Sequence, residues 1–326
     1  MTTNYKDLIT ILGQDIPLGT STEINFNIAR LHTASDINVP IIVERSKIEG
    51  PTILFNACLH GDEINGVDIV RQLIANKINR PKRGTVICIP ILNILGFLNG
   101  SRAFPDGRDL NRVFPGSSNG SLASRVAHKL IHEVIPEVDL IVDFHTGGAS
   151  RFNAAQVRIV KDNPELKELA QVFGAPFVLY SKHIAKSFRN ACFQLNKPMV
   201  LFEGGRSSFI DDNISKIGVE GAKRLLAHYD MLDEAHKVNK PKSKSIFVEK
   251  SSWIRARRSG MFKSIIKINS KIEVGSIIGQ ITDPYGKIHQ PVKSTYAGYV
   301  INVNEAPLVY QGDALFHIAT KLHDKK

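Results

Sequence analysis

From residue 25 to about residue 235 the chain alternates short β-branched runs with longer amphipathic stretches, and this alternation confines it to a layered α/β architecture built on a mixed, largely parallel sheet. Strands are expected over Asn25–His32, Ile41–Ser46, Thr52–Leu59, Thr85–Leu92, Leu140–His145, Gln156–Val160, Phe177–Tyr180 and Met199–Phe202, a sheet of about eight strands flanked by helices. The helices are expected over Asn65–Lys77, where Val67, Val70 and Ile74 fall near helical spacing, and over Ser121–Val134, which opens on a good N-cap residue. Pro164–Phe173 and Ile214–Ala235 complete the set.

The texture changes after Ala235. His236–Ser245 is rich in Lys, Pro and Ser without a hydrophobic period and reads as a linker. Ile246–Thr320 then carries short alternating runs punctuated by Gly275, Gly279, Gly286, Gly298 and Gly312, the pattern of a small all-β domain of hairpins. With 326 residues the chain exceeds the usual size of one domain, so residues 1–240 are expected to form a catalytic domain and residues 241–326 a C-terminal β domain.

Composition excludes several classes. Hydrophobic residues at 43% and charged residues at 22% belong to an ordinary globular protein. The longest apolar stretches, such as Thr85–Leu95, fall short of the roughly 20 residues that cross a bilayer, so no membrane partner is expected. Met1 to Leu12 shows no basic region followed by an apolar core, which predicts no signal peptide and a cytoplasmic location. Cys58, Cys88 and Cys192 are odd in number and lack C-x-x-C spacing, so buried reduced thiols are expected. The net charge of +11 is scattered and accompanied by no nucleic-acid-binding motif; a basic mouth for a small anionic substrate explains it without nucleic acid.

The chemistry-bearing residues sit at predicted strand ends. Thr52–Leu59 ends on His60-Gly61-Asp62-Glu63 and passes directly into a helix, the place where α/β proteins present side chains to the crevice at the carboxyl edge of the sheet. His145 ends Asp139–His145, with Gly147 and Gly148 after it. Two His and one Glu, with one position left open, form a catalytic rather than a structural zinc set. A His-x-x-Glu spacing alone is common on solvated faces, and further residues give this one its weight. Ser101–Gly116 is a loop with Arg102, Arg108, Arg112 and Asn111 and no hydrophobic period, and Met199–Phe202 runs into Glu203-Gly204-Gly205.

Taken in order, His60-Gly61-Asp62-Glu63, Asp109-Leu110-Asn111-Arg112, Asp143-Phe144-His145-Thr146-Gly147 and Phe202-Glu203-Gly204-Gly205 resemble the succinylglutamate desuccinylase/aspartoacylase family of the zinc carboxypeptidase clan, over about residues 50 to 210. That resemblance implies a zinc carboxypeptidase-like fold and one Zn2+ per chain held by His60, Glu63 and His145. It also implies Glu203 as general base, Arg102 polarising the scissile carbonyl, and Asn111 with Arg112 holding the substrate carboxylate. Asp109 matches the position that orients the first His ligand, which is what a metal-bound imidazole requires of a neighbouring carboxylate. Asp143, on the same strand face as His145, is a second candidate for that role. The expected activity is hydrolysis of the amide bond of a small N-acyl amino acid. A metallocarboxypeptidase and a non-catalytic metal-dependent binding protein are the alternatives.

Other patterns carry less. Gly116-Ser117-Ser118-Asn119-Gly120 matches G-x-S-x-G but follows a Pro-Gly loop rather than a strand, so serine catalysis is not expected. His128 and His132 lie four apart on one predicted helix face without the H-E-x-x-H order. Lys182, His183 and Arg189 follow a strand end and are candidates for lining an acyl pocket, with a solvated surface the simpler expectation. The C-terminal runs Val274–Asp283 and Ser294–Val300 resemble a lipoyl/biotinyl-like barrel without the tip that presents a modified lysine; capping or homo-oligomerisation is its expected role.

Overall fold

A computed structural model describes residues 8–322. The expectation drawn from Met1 to Leu12 therefore lies partly outside the described residues.

All eight expected strands form, yet they do not close a sheet of their own. A 12-stranded sheet runs, from one edge, through Ser21–Arg30, Asp36–Arg45, Thr85–Ile89, Thr52–Ala57, Leu140–Gly147, Met199–Arg206, Arg151–Ile159 and Phe177–Tyr180. It then continues without a break into Ile246–Arg255, Ala314–Leu322, Gly298–Asn304 and Lys271–Ile272. The expectation of about eight strands is thus corrected. Phe177–Tyr180 is too short to pair only inward, and its free edge takes up Ile246–Val248 in parallel register. Gly298–Asn304 also pairs back onto Arg151–Ile159, so five strands close into a small barrel around Ala154, Phe177, Leu179, Val248, Ile301 and Ala319. A separate 4-stranded sheet completes the C-terminal part.

The sheet is parallel where the chemistry lies. Thr85–Ile89, Thr52–Ala57, Leu140–Gly147 and Met199–Arg206 are neighbours in parallel register. Every residue of Thr52–Ala57 and Leu140–Gly147 is buried, as parallel strands covered on both faces must be. Leu54, Ile87 and Ile141 turn to one core with Ala127 and Leu130 of the helix Leu122–Glu133. Ile53, Phe55 and Val142 turn to the other, under Ile64–Ala75, Pro164–Phe173 and Asp212–His228.

One local expectation needs correction, and three short elements were not anticipated. Apolar Met231 and Leu232 suggest a helix running to Ala235, but it ends at His228. Asp230 takes a left-handed φ of 55°, and the Asp230 and Met231 amides bond back to Ala227 and Leu226, which satisfies carbonyls at the helix end and folds Met231 into the core. The short helices Ile94–Leu98 and Phe188–Gln194 and the hairpin Leu8–Ile11 with Gln14–Pro17 carry too little period to be read from sequence.

Candidate active site

The carboxyl ends of three adjacent parallel strands converge on one cavity of about 650 Å³, within the usual range for a small-molecule site. His60 and Glu63 follow the end of Thr52–Ala57, His145 lies in Leu140–Gly147, and Glu203, in Met199–Arg206, is the register partner of His145. Gly61 is required in the turn that joins strand to helix, because a Cβ there would stand 2.1 Å from the Gly96 carbonyl carbon.

Glu63 occupies the N-cap position of the helix Ile64–Ala75 but its side chain does not cap it. The carboxylate turns inward instead. Oε1 lies 2.8 Å from His60 Nδ1 and Oε2 2.8 Å from His145 Nδ1, while Oε2 also accepts from the Thr146 amide at 3.1 Å. All three side chains are at most 5% exposed, and their ligand atoms lie within 4.8 Å of one another. Burial alone would raise the Glu63 pKa, yet the two imidazoles hold it well below the usual range. Burial likewise opposes charge on His145, but Asp143 and Glu63 hold its pKa well above 6.5.

The outer nitrogens of both rings meet carboxylates. His145 Nε2 is 2.8 Å from Asp143 Oδ2, and Asn56 fixes Asp143 by donating to Oδ1 at 2.7 Å. His60 Nε2 is 3.2 Å from Asp109 Oδ1, an ion-pair distance off the ideal hydrogen-bond direction. Both rings therefore present Nδ1 to the same point. Two imidazole nitrogens and one carboxylate, buried together with carboxylates behind the rings, fit a Zn2+ ion with room for a further ligand.

Arg102 bridges this group to its support, with Nη1 3.2 Å from Glu63 Oε1 and Nη2 3.0 Å from Asp109 Oδ2. Asn111 lines the cavity, but its Oδ1 accepts from the Phe188 amide at 2.8 Å, so its amide nitrogen is what remains for a ligand. Arg112 is exposed on the cavity wall and donates to the Asn111 carbonyl at 2.7 Å.

Sequence reasoning passed over the surroundings of Glu203. Asn153 donates to Glu203 Oε2 at 2.7 Å, and Arg158 Nη2 lies 2.8 Å from the same oxygen. Trp253 and Asn302, from the C-terminal strands, line the cavity beside Arg151 and Arg189. The available signal was a set of polar residues, Asn153, Gln156, Arg158 and Asn302, inside otherwise apolar strands. Lys182 and Arg189 do reach the cavity, whereas His183 stacks on Phe193 with centroids 4.5 Å apart. Burial, with Arg158 beside it, lowers the Arg189 pKa to about 10, which leaves it charged at neutral pH.

The remaining expectations resolve simply. Cys58, Cys88 and Cys192 are free and buried. Ser118 lies in the loop that follows Pro115 and Gly116, away from any strand end. His128 and His132 pack against each other with ring centroids 4.2 Å apart and planes tilted by 48°, and among the described residues the one cluster suited to a metal is His60, Glu63 and His145. No helix among the described residues is long and apolar enough to cross a membrane.

A mixed α/β sheet with His, Glu and His grouped at its carboxyl edge places a set of side chains able to hold a metal ion where α/β proteins present their functional groups. The succinylglutamate desuccinylase/aspartoacylase catalytic domain matches residues 49–229, more than half of the chain, and the protein belongs to that family. It is 25% identical over 257 residues, 76% of this chain and 75% of the relative, to the N-alpha-acetyl-L-2,4-diaminobutyric acid deacetylase of Halomonas elongata. Two solved structures share the fold. A succinylglutamate desuccinylase/aspartoacylase from Rhodobacter sphaeroides superposes with a TM-score of 0.80 at 23% identity, covering 94% of this chain and 96% of that one. The product-bound ectoine utilization protein EutE (DoeB) from Ruegeria pomeroyi does so with 0.79 at 22%, covering 97% and 99%.

Proposed function

We propose that the protein is a zinc-dependent amidohydrolase that removes the acyl group from a small, anionic N-acyl amino acid. The observation that carries this reading is the convergence of His60 Nδ1 and His145 Nδ1 on Glu63 in the cavity that Glu203 also lines. The diaminobutyric acid deacetylase, a relative by sequence, supports the same reaction class and makes acetyl the first acyl group to test.

His60, Glu63 and His145 would hold the ion, which when bound acidifies water towards neutrality and polarises a carbonyl. Glu203 accepts the proton of the attacking water and later delivers one to the leaving amine. Its two protein donors both converge on Oε2, so the proton is taken up on Oε1. Arg102, 39% exposed at the cavity wall, stabilises the negative charge that develops on the acyl oxygen. Arg112 and the Asn111 amide nitrogen grip the carboxylate of the substrate, and a planar guanidinium suits that task because it offers two parallel donors. Arg151, Arg158, Lys182 and Arg189 make the mouth basic, which supports a small anionic substrate.

The test is a hydrolysis screen of zinc-loaded protein against acetyl-, succinyl- and formyl-amino acids, with dipeptides alongside. Release of free amino acid from an acylated substrate is the expected result. Turnover of dipeptides alone would make the protein a carboxypeptidase, and metal binding without turnover would make it a binding protein.

A further inference from the structure

We propose that Asn302, on the C-terminal strand Gly298–Asn304, is a positioning residue for Glu203 and acts on it through Asn153. Asn302 Nδ2 donates to Asn153 Oδ1 at 2.6 Å, and Asn153 Nδ2 donates to Glu203 Oε2 at 2.7 Å. Both asparagines are buried, 2% and 4% exposed, and both line the cavity. They are direct register partners across the strand pairing that closes the small barrel. The C-terminal segment thereby reaches the residue read above as the general base, and the inference rests on that reading.

The polarity of this chain follows from chemistry rather than from the assignment of amide atoms. An ionised carboxylate only accepts, so Asn153 must turn its NH2 towards Glu203. Its oxygen then faces the opposite way and needs a donor. Asn302 supplies it, and so prevents the Asn153 amide from turning over and setting an oxygen against the carboxylate. Asn302 sits in the apolar run Val300-Ile301-Asn302-Val303, where its Oδ1 has no hydrogen-bond partner among the described residues. A residue chosen only to pack a barrel wall would be apolar here, since a half-satisfied buried amide costs stability.

Arg158 also holds Oε2 of Glu203, but a single long guanidinium, 29% exposed, does not fix the plane of the carboxylate. Asn153 provides the second direction, and a short side chain anchored at both ends is the stiffer of the two. Loss of the anchor should therefore lower turnover and leave substrate affinity nearly unchanged.

The experiment compares Asn302→Leu, similar in size without a donor, with Asn302→Asp, which keeps a polar partner for Asn153 but accepts from it, and with Asn302→Gln, which retains a donor. Kinetics are measured on the fastest N-acetyl amino acid of the screen, together with zinc content, melting temperature, Asn153→Ala, and Asn153→Ala combined with Asn302→Leu. For Leu the expected result is a fall in kcat of about tenfold or more with KM within about twofold, and partial recovery with Gln; Asp should lower kcat at least as far and, by adding a negative charge to the cavity wall, raise KM as well. Because both residues act through one contact, the double variant should be no slower than Asn153→Ala alone. Asn302→Asp preserves the cross-strand bond, so it keeps the test open if Asn302→Leu does not fold. Wild-type kcat in Asn302→Asp, or additive losses in the double variant, would overturn the positioning role. Glu203→Gln is the separate control: if it retains full turnover, the general-base reading falls and the role of Asn302 falls with it. If Glu203→Gln is inactive while the Asn302→Asp variant is fully active, only the positioning role is lost.

Discussion

Asp143 Oδ2 lies 2.8 Å from His145 Nε2, two residues along the same strand, and directs the other ring nitrogen of that histidine at Glu63. Alternation places both side chains on one face of Leu140–Gly147, and the Asn56 amide on the neighbouring strand holds Asp143 in place. Partners behind metal-bound imidazoles typically contribute about 10- to 100-fold in affinity. Asp143→Ala should weaken zinc binding by that order, measured by competition with a chelator, while secondary structure is retained. Unchanged affinity would mean that the strand alone orients His145.

Purified protein should carry about one zinc per chain, and His145→Ala should lose it. Elemental analysis after reconstitution checks both. Metal-free protein that cannot be reloaded would remove the basis for the site, whereas a lower melting temperature in the variant is expected because binding to the native state adds to stability.

Glu203→Gln should keep zinc and fold but lose at least about a hundredfold in kcat, since an amide of nearly the same shape cannot accept the water proton. Retained turnover in that variant would move the base to another residue. Arg158 loses its carboxylate partner in the variant, and at 29% exposure it can turn to solvent, so the effect on stability should be small.

The legible part of this protein is the part written in strand ends. His60, Glu63, His145 and Glu203 each follow or close a strand run, a short motif surrounds each, and the structure brings all four to one cavity. Asn153, Arg158 and Asn302 were not legible because their importance lies in pairing between distant strands: 149 residues separate Asn302 from Asn153, and 50 separate Asn153 from Glu203. No local period encodes such a contact. The same reason explains the sheet. Each of its first eight strands was visible, but the parallel pairing of Ile246–Val248 with Phe177–Leu179, which carries the sheet onward, depends on an unsatisfied strand edge rather than on either segment alone.

His317 stacks on Trp253 with centroids 4.2 Å apart and rings 3° from parallel. Burial, aided by the positive charge of Arg158, lowers its pKa from 6.5 to about 4. The folded protein thus keeps His317 neutral where the unfolded chain would protonate it. Its contribution to stability is fully present above pH 6.5 and is lost as pH falls towards 4, at most about 1.4 kcal/mol per pH unit over that window. Urea unfolding should show a declining midpoint between pH 6.5 and 4.5, followed by the fluorescence of Trp253, the single tryptophan of the chain. His317→Gln should flatten that decline. An identical decline in the variant would assign it to other groups.

Arg112 stands exposed on the cavity wall with one N–H committed to the Asn111 carbonyl, and the rest of its guanidinium is available to a ligand. If that fork grips the substrate carboxylate, wild-type protein should strongly prefer N-acyl amino acids to the matching amides, in which one oxygen and the charge are lost. Arg112→Lys keeps the charge but not the two parallel donors. A hydrogen bond to a charged group contributes about 1.5–3 kcal/mol, so kcat/KM on the acid should fall on the order of tenfold to a hundredfold. The amide substrate offers nothing to clamp and should lose far less. The decisive quantity is the ratio of the two losses, because a change in folding or in metal content would lower both alike. Equal losses on acid and amide would make Arg112 a structural residue and transfer carboxylate recognition to another cation of the same wall, with Arg151 and Lys182 the next to substitute.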